Sequence, residues 1–493
     1  MVLTSVQIKS ADSLFMRNNN LTEYELVKKA AQSIYASFVE SIENIDSKKI
    51  LVLCGNGLNG ADGCALGLIL KQNGANVFLL PVGEPGKNDT RQRYFDECVS
   101  AGAGVVYDIL NDYDIVVDAV FGIGFYGGLD SSVAEVLSKA CSSTAFKVAI
   151  DVPSGVSADS AYVCKGAFKA DLTIAVCAKK PCHLLYPSKE YCADVTVADM
   201  NFGPEIFNEI NPYLFELKNS DYKSLIHKRD DSLHKGAFGR AGLVVGCTAY
   251  RGAAVLAVKA ALSCGAGIVS AFIPDTIYGS FACECISAVI NSMKSKNGGI
   301  DDKSLLQKIE GCTAVLCGSG LGLTDGAVNA VKAVASTDLN VIFDGDAITV
   351  ISNDLSLLKR SGNTVITPHM GEFARLCGKS IEEIKKQRIT LAMQFAIQNR
   401  CVLVLKDSVS VVALPDGRAF ILSNPTSALS KGGSGDVLAG MICSFIAQGY
   451  SSAAAAIIAV CLHNACGHLA CRKMSSFCAL PEDFIRMLPL LLK

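Results

Sequence analysis

"KKILVLCGNGLNGADGCALGLILKQNGANVFLLPV", residues 48–82, passes from a short apolar run through a cluster of glycines into a helix-length segment, then into a second apolar run. Neither run alternates apolar with polar residues, as a strand with one wet face does. Continuous apolar runs separated by helix-length segments mark strands buried on both faces of a parallel sheet. The pattern repeats at "YDIVVDAVFG" (113–122), "FKVAIDVPSG" (146–155) and "ADLTIAVC" (170–177). Upstream, "LTEYELVKKAAQSIYASFVESI" (21–42) has helical apolar spacing with Thr22 as its N-cap. These elements predict a doubly wound, Rossmann-like α/β domain.

The pattern loosens over residues 201–239, where two prolines and the charge cluster "HKRDD" interrupt it. A second α/β series then opens with "AGLVVG" (241–246) and continues through "AGIVSAFI", "TAVLCGSGLG", "LNVIFDGDAI", "NTVITPH" and "CVLVLKDSVSVVAL". The two series share no motif, so they are not an internal repeat. Two domains are expected, at 1–216 and 217–493, in keeping with a chain of 493 residues.

Half of the residues are hydrophobic and 19% are charged, a composition that buries large cores. A formal charge of −2 supplies no basic field, so neither nucleic acid nor a membrane is an expected partner. Many of the 21 cysteines, among them Cys54, Cys317 and Cys461, sit inside apolar runs, and the opening "MVLTSVQIKSADSLF" has no signal-peptide character. A reducing cytoplasm is expected, without a disulfide framework and without zinc-finger spacing. The stretch "SSAAAAIIAVCLHNACGHLA" (451–470) reads as a buried helix whose apolar core falls short of a membrane span.

The loop "CGNGLNGADG" (54–63) follows a strand and precedes the expected helix "CALGLILKQNG". Residues without Cβ let a backbone turn sharply and approach a phosphate, and a helix N-terminus adds free N–H groups. The loop only approximates GxGxxG, so tight packing explains it as well as a dinucleotide does. Asp118 and Asp151 end two further strands, and ligands of open α/β sheets bind outside the carboxyl ends of strands. Either Asp alone could equally cap a turn.

In order and spacing, "GNGLNGADG", "DAVFGIGF" and "IDVPSGVSAD" resemble the loops of NAD(P)H-hydrate epimerases over about residues 1–215. The resemblance implies a potassium ion held by Asn59, Asp118 and Ser154. It places substrate against Leu58, Asn59, Gly60, Ala61 and Asp62 of the first loop, against Gly122, Ile123, Gly124 and Phe125 of the second, and against Asp151, which would handle the proton. Leu58 and Ala61 replace the family's first Asn and second Gly, deleting a polar group and restricting the backbone.

In the second half, "NPTSALSKGGSGDVLAGMI" (424–442) runs from a small, polar loop into an apolar helix. The "GGSGD" turn aims backbone N–H groups at one spot suited to a phosphoryl group, and Asp436 there can take a proton from an attacking hydroxyl. An Asp near a helix dipole is the plain structural alternative. No GxxxxGK[ST] loop occurs. With "HKGAFGRAGLVVG", "CGSGLG" (317–322), "TPHMGE" (367–372) and "VLVLKDSVSVV" (402–412), the motif resembles the ADP- or ATP-dependent NAD(P)H-hydrate dehydratases of the ribokinase-like superfamily over about residues 220–493. The resemblance implies that Gly320, His369 and Asp436 contact the hydrated dinucleotide and that Asp436 is the base. It gives the adenine nucleotide to Lys406, Asp407, Ser408, Val409, Ser410 and Gly435.

The combined expectation is a fused repair enzyme for the hydrates of NADH and NADPH. The first half would interconvert R and S epimers, and the second would dehydrate the S hydrate at the expense of ADP, preferred here to ATP, with Mg²⁺ on the nucleotide and K⁺ in the first half. A homo-oligomer is expected. The alternative is a ribokinase-like vitamin or sugar kinase fused to a non-catalytic Rossmann-like binding module.

Overall fold

The computed structural model describes residues 1–83, 88–110 and 112–492. Its contacts divide the chain into Met1–Leu214 and Phe215–Lys493.

In the first unit, seven described strands form a parallel sheet in the order β3-β2-β1-β4-β5-β6-β7. They are β1 (Lys49–Cys54), β2 (Asn76–Pro81), β3 (Gly104–Val105), β4 (Ile115–Ala119), β5 (Phe146–Ile150), β6 (Leu172–Val176) and β7 (Asp194–Ala198). The continuous apolar runs are explained by two cores. Ile50 and Val52 join Ile34, Phe38 and Leu66 on one face, while Leu51 and Leu53 join Val133 and Leu137 on the other. Successive side chains of a strand point to opposite faces, so both sets must be apolar. The short β3 and the half-exposed β7 carried too weak a pattern to be read from sequence. Thr22 does cap helix Glu23–Ser41, accepting from Glu25 N–H in a capping box.

The first loop is shorter than its glycines suggested. The helix begins at Leu58 and runs to Gln72, so only Gly55–Gly57 turn. Gly60 and Gly63 serve packing instead: a Cβ on Gly60 would lie 2.0 Å from Gly55 O, and one on Gly63 2.4 Å from Ala119 Cβ. Ala61 is likewise an ordinary, fully buried helical residue, so its methyl does not restrict a turn.

The second unit holds a ten-stranded sheet in the order β11-β10-β9-β14-β15-β16-β17-β18-β19-β8, and a separate two-stranded ribbon, β12-β13. The strands are β8 (Leu214–Leu217), β9 (Arg240–Val244), β10 (Ile268–Pro274), β11 (Val289–Met293), β12 (Ser295–Lys296), β13 (Gly299–Ile300), β14 (Ala314–Cys317), β15 (Asn340–Phe343), β16 (Thr364–Ile366), β17 (Val402–Leu405), β18 (Val411–Ala413) and β19 (Ala419–Leu422). Pairing is parallel from β11 through β17 and antiparallel from β17 through β19. Helix Ser434–Ala447 crosses helix Arg251–Ser263 so closely that a Cβ on Gly440 would lie 2.2 Å from Ala257 O. Helix Ser452–Met474 has 23 residues and is long and apolar enough to cross a membrane, a correction to the shorter span read from sequence. It is mostly buried in the core of this unit, where Ile458, Cys461 and Leu462 pack with Phe484 and Leu488.

Candidate functional site

In the first unit, Asp118 is the next-to-last residue of β4 and is fully buried. Its Oδ2 accepts from Ser154 N at 2.7 Å, and its Oδ1 accepts from Ser154 Oγ at 2.7 Å and Val120 N at 3.1 Å. Burial pushes its carboxyl up to about 6, against the lowering pull of those three donors. Among the described residues no basic side chain pairs with it. A buried carboxylate without a counter-charge, beside the hydroxyl oxygen of Ser154, offers oxygen ligands of the kind that suit a hard cation.

Asp151, just past β5, takes a left-handed backbone (φ +66°), an uncommon conformation for a residue with a side chain. Its N–H bonds Ile174 O at 2.8 Å and its C=O accepts from His183 Nε2 at 2.9 Å, which hold the turn in place. Its carboxylate pairs with the fully buried Lys180 and accepts from Val176 N at 3.2 Å. Gly122 marks where two loops meet: a Cβ there would lie 3.1 Å from both Asn59 Oδ1 and Asp151 Oδ2. Only glycine leaves this space between them. Asn59 Nδ2 meanwhile donates to Ile150 O at 3.4 Å.

Of the other first-unit residues, Leu58 is 45% exposed at the start of its helix, and Gly124 faces open space. Ile123 and Phe125 pack into a small cluster with Val152. Ala61 is in the core. Asp62 has its carboxyl raised by burial and then by the nearby Asp151 and Asp12; Asp12 itself is pushed up to about 6 by burial, with Lys180 pulling the other way. Lys180 and Asp12 were not singled out from sequence; the run "AKKPC" after β6 was the available signal for the lysine. Cys182, His183 and Cys192 bring their donor atoms within 4.8 Å of one another. His183 has no lone pair to spare for a metal, since Nδ1 accepts from Lys180 N and Nε2 serves Asp151 O.

In the second unit, Asp436 lies in the first turn of helix Ser434–Ala447, entered through Gly433 at φ +95°. Burial and then the neighbouring Asp344 push its carboxyl up to about 7, while Lys406 and Ser319 pull it down. Lys406 follows β17 and donates to Asp344 Oδ1 at 2.8 Å. Asp344 also accepts from Thr367 Oγ1 at 2.6 Å and Ser319 Oγ at 3.1 Å. A Cβ on Gly435 would lie 3.1 Å from Lys406 Nζ, so the glycine lets the ammonium reach the helix N-terminus. Burial disfavours the charged lysine, yet Asp344 and Glu372 outweigh it and raise its pKa.

His369 caps helix Met370–Cys377 through Nδ1, which accepts from Gly371 N at 3.0 Å and Glu372 N at 3.3 Å. Its other nitrogen lies 3.4 Å from Glu372 Oε1. Burial and then Lys406 lower its pKa, keeping the ring neutral. Gly320 (φ +62°) abuts Tyr250, whose carbonyl would be 2.8 Å from a Cβ there. Asp407 is ion-paired at 2.6 Å with the buried Arg388, and Ser408 is exposed beside it. Val409 is fully buried, so only its backbone could meet a ligand. Asp344 and Thr367 lie inside stretches quoted from sequence but were not singled out there, and Arg388, at the end of the polar run Lys385–Arg388, gave no signal of its own.

A family model described as NAD(P)H-hydrate dehydratase matches residues 241–490, and one described as YjeF-related protein N-terminus matches residues 23–182. The bifunctional NAD(P)H-hydrate repair enzyme of Moorella thermoacetica is 29% identical over 520 residues, covering 100% of this chain and 96% of its own. That of Thermofilum pendens is 30% identical over 437 residues, covering 85% of this chain and 82% of its own. A ribokinase-like superfamily protein from Enterococcus faecalis V583 superposes with a TM-score of 0.51 at 26% identity, over 56% of this chain and 94% of that one.

Proposed function

The chain belongs to the bifunctional NAD(P)H-hydrate repair enzymes, and from that premise we propose how its two halves divide the work. The enzyme epimerises the R and S hydrates of NADH and NADPH and dehydrates the S hydrate to the reduced dinucleotide. Residues 1–216 are assigned the epimerisation and residues 217–493 the dehydration.

In the second half, the hydroxyl of the S hydrate attacks the terminal phosphorus of the adenine nucleotide as Asp436 takes its proton. The hydroxyl becomes a phosphate ester, a good leaving group. Loss of a proton from C5 and of phosphate from C6 then restores the C5–C6 double bond. Lys406, held by Asp344, and the N–H groups at the start of helix Ser434–Ala447 offset the charge on the phosphates. Lys406 to Ser410 with Gly435 hold the nucleotide, and Gly320 and His369 hold the dinucleotide. The nucleotide is ADP, leaving as AMP. Mg²⁺ travels with its phosphates, since among the described residues no three carboxylate, His or Cys ligand atoms of this unit gather within 4.8 Å.

In the first half, Asn59, Asp118 and Ser154 hold K⁺, which when bound supplies the positive charge that Asp118 lacks. Asp151, fixed by Lys180, handles the proton beside Asn59. The small-molecule partners are the two hydrates and the nucleotide. The setting is cytoplasmic, and assembly into a homo-oligomer is proposed.

One observation carries the dehydratase reading: a carboxylate raised to about 7 at a helix N-terminus beside a partly buried lysine, which makes a base able to work near neutrality. The test is an assay of purified R and S hydrates with and without ADP. Nucleotide-dependent return of nicotinamide absorbance, with phosphate released, supports the reading; a stable phosphorylated product would favour a kinase.

A further inference from the structure

A cavity of about 490 Å³ opens in the first unit on the other side of the first loop from Asp118 and Asp151. It lies at the carboxyl ends of three strands: Asn56 follows β1, Pro81 and Gly83 end β2, and Tyr107 follows β3. Arg91 and Phe95, from helix Asp89–Ser100, complete one wall. We propose that this cavity seats the adenosine diphosphate end of the hydrated dinucleotide during epimerisation.

Arg91 is the strongest reason. It is 9% exposed, its Nε–H donates to Gly55 O at 3.2 Å, its Nη1 donates to Gln92 Oε1 at 3.2 Å, and its guanidinium lies 4.7 Å from the Phe95 ring centroid. Its three remaining N–H bonds have no partner among the described residues. A guanidinium fixed on an aromatic ring and a backbone carbonyl has already lost its rotamer freedom, so it can bind a phosphate oxygen at little further entropic cost. Tyr107, 86% exposed, offers a free aromatic face for a base. Asp96, also in the lining, accepts from Gln92 Nε2 through Oδ1 at 2.9 Å and keeps Oδ2 for ribose hydroxyls.

Position supplies the rest. The sheet order reverses at β1, with β2 on one side and β4 on the other, and ligands of such sheets lie across that reversal. Asn56 lines this cavity, while Asn59, three residues on, faces Gly122 and Asp151. Between them is the N-terminus of helix Leu58–Gln72, whose N-cap Gly57 supplies no side-chain hydrogen bond. One dinucleotide with its pyrophosphate on that terminus would place its nicotinamide at Asp151 and its adenosine at Tyr107. The volume falls within the range of small-molecule sites, roughly 300–1,000 Å³.

The inference rests on the epimerase reading of the first half, and two measurements on the full chain separate the two. In Arg91→Ala and in Tyr107→Ala, KM for the R hydrate should rise by about tenfold with kcat nearly unchanged, while S-hydrate dehydration stays the same. Tyr107 is too exposed for its loss to unfold the domain, so it decides the case if Arg91→Ala is unstable. An unchanged KM in Tyr107→Ala, or a fall in kcat alone, overturns the proposal. Independently of any activity, 8-azido-ADP-ribose should on photolysis label the segment bearing Tyr107, in addition to any label at the nucleotide site of the second unit. Label confined to the second unit would overturn the subsite, whereas label at Tyr107 in a protein without epimerisation would retain it and sink the epimerase reading.

Discussion

Lys406 Nζ lies 2.8 Å from Asp344 Oδ1, and this pair faces Asp436 with one charge of each sign. The carboxylate of the pair pushes Asp436 toward its protonated form and the ammonium pulls it back. With burial as the larger influence, Asp436 settles at about 7.

The dehydration rate should therefore rise with pH through about 7, as Asp436 loses its proton and becomes a base. In Asp344→Asn the limb should move to lower pH, because removing a like charge and releasing Lys406 both favour ionised Asp436. A pH profile of kcat/KM for the S hydrate checks this; a limb that stays in place would remove Asp344 from the electrostatics of the site.

Asp436→Asn should cut single-turnover dehydration by a factor on the order of 10²–10⁴ while keeping the fold. Above pH 7 the wild-type carboxylate is ionised at a burial cost that Asn does not carry, so thermal unfolding there should be unchanged or slightly later. Near-wild-type turnover would exclude Asp436 as the base.

Asp118 binds its proton more tightly in the folded chain, at about 6 against 3.8 unfolded. Its contribution to stability is therefore fully present below about 4 and lost as the pH rises through 6. A cation on the ionised carboxylate offsets that loss. Potassium at constant ionic strength should raise the thermal midpoint of the first unit at pH 8 and far less at pH 5. Asp118→Asn should remove the potassium effect. A potassium effect surviving in that variant would place the ion elsewhere.

At the first loop, Leu58→Asn should leave stability almost unchanged, since Leu58 is 45% exposed, and should raise R-hydrate turnover by no more than about tenfold, the worth of one hydrogen bond. Ala61→Gly should instead cost about 1 kcal/mol without a gain in rate, because it weakens a helix interior and frees no turn. Thermal unfolding together with R-hydrate kinetics, corrected for spontaneous epimerisation, separates the two effects.

Much of this molecule was legible in the chain. The unbroken apolar runs foretold buried parallel strands because both faces of each strand meet a core, as Ile50 and Leu51 do on opposite sides of β1. Thr22 announced its helix through chemistry confined to four residues. The weaker strands escaped because β7 is half exposed and β3 has only two residues, so neither carries a hydrophobic signature.

What the sequence by itself determined was the doubly wound pattern, the change of series after residue 200, and the motifs that carry Asp118, Asp151, Lys406 and Asp436. Those signals are local, written in spacing and residue type. Only the tertiary structure decided that Lys180 neutralises Asp151 from 29 residues away, that Asp344 holds Lys406 from 62 away, and that glycines 60 and 63 pack a helix rather than shape a loop. Charge pairing and close packing depend on distance in space, and a strand order that places β4 beside β1 brings together residues whose positions in the chain give no sign of it.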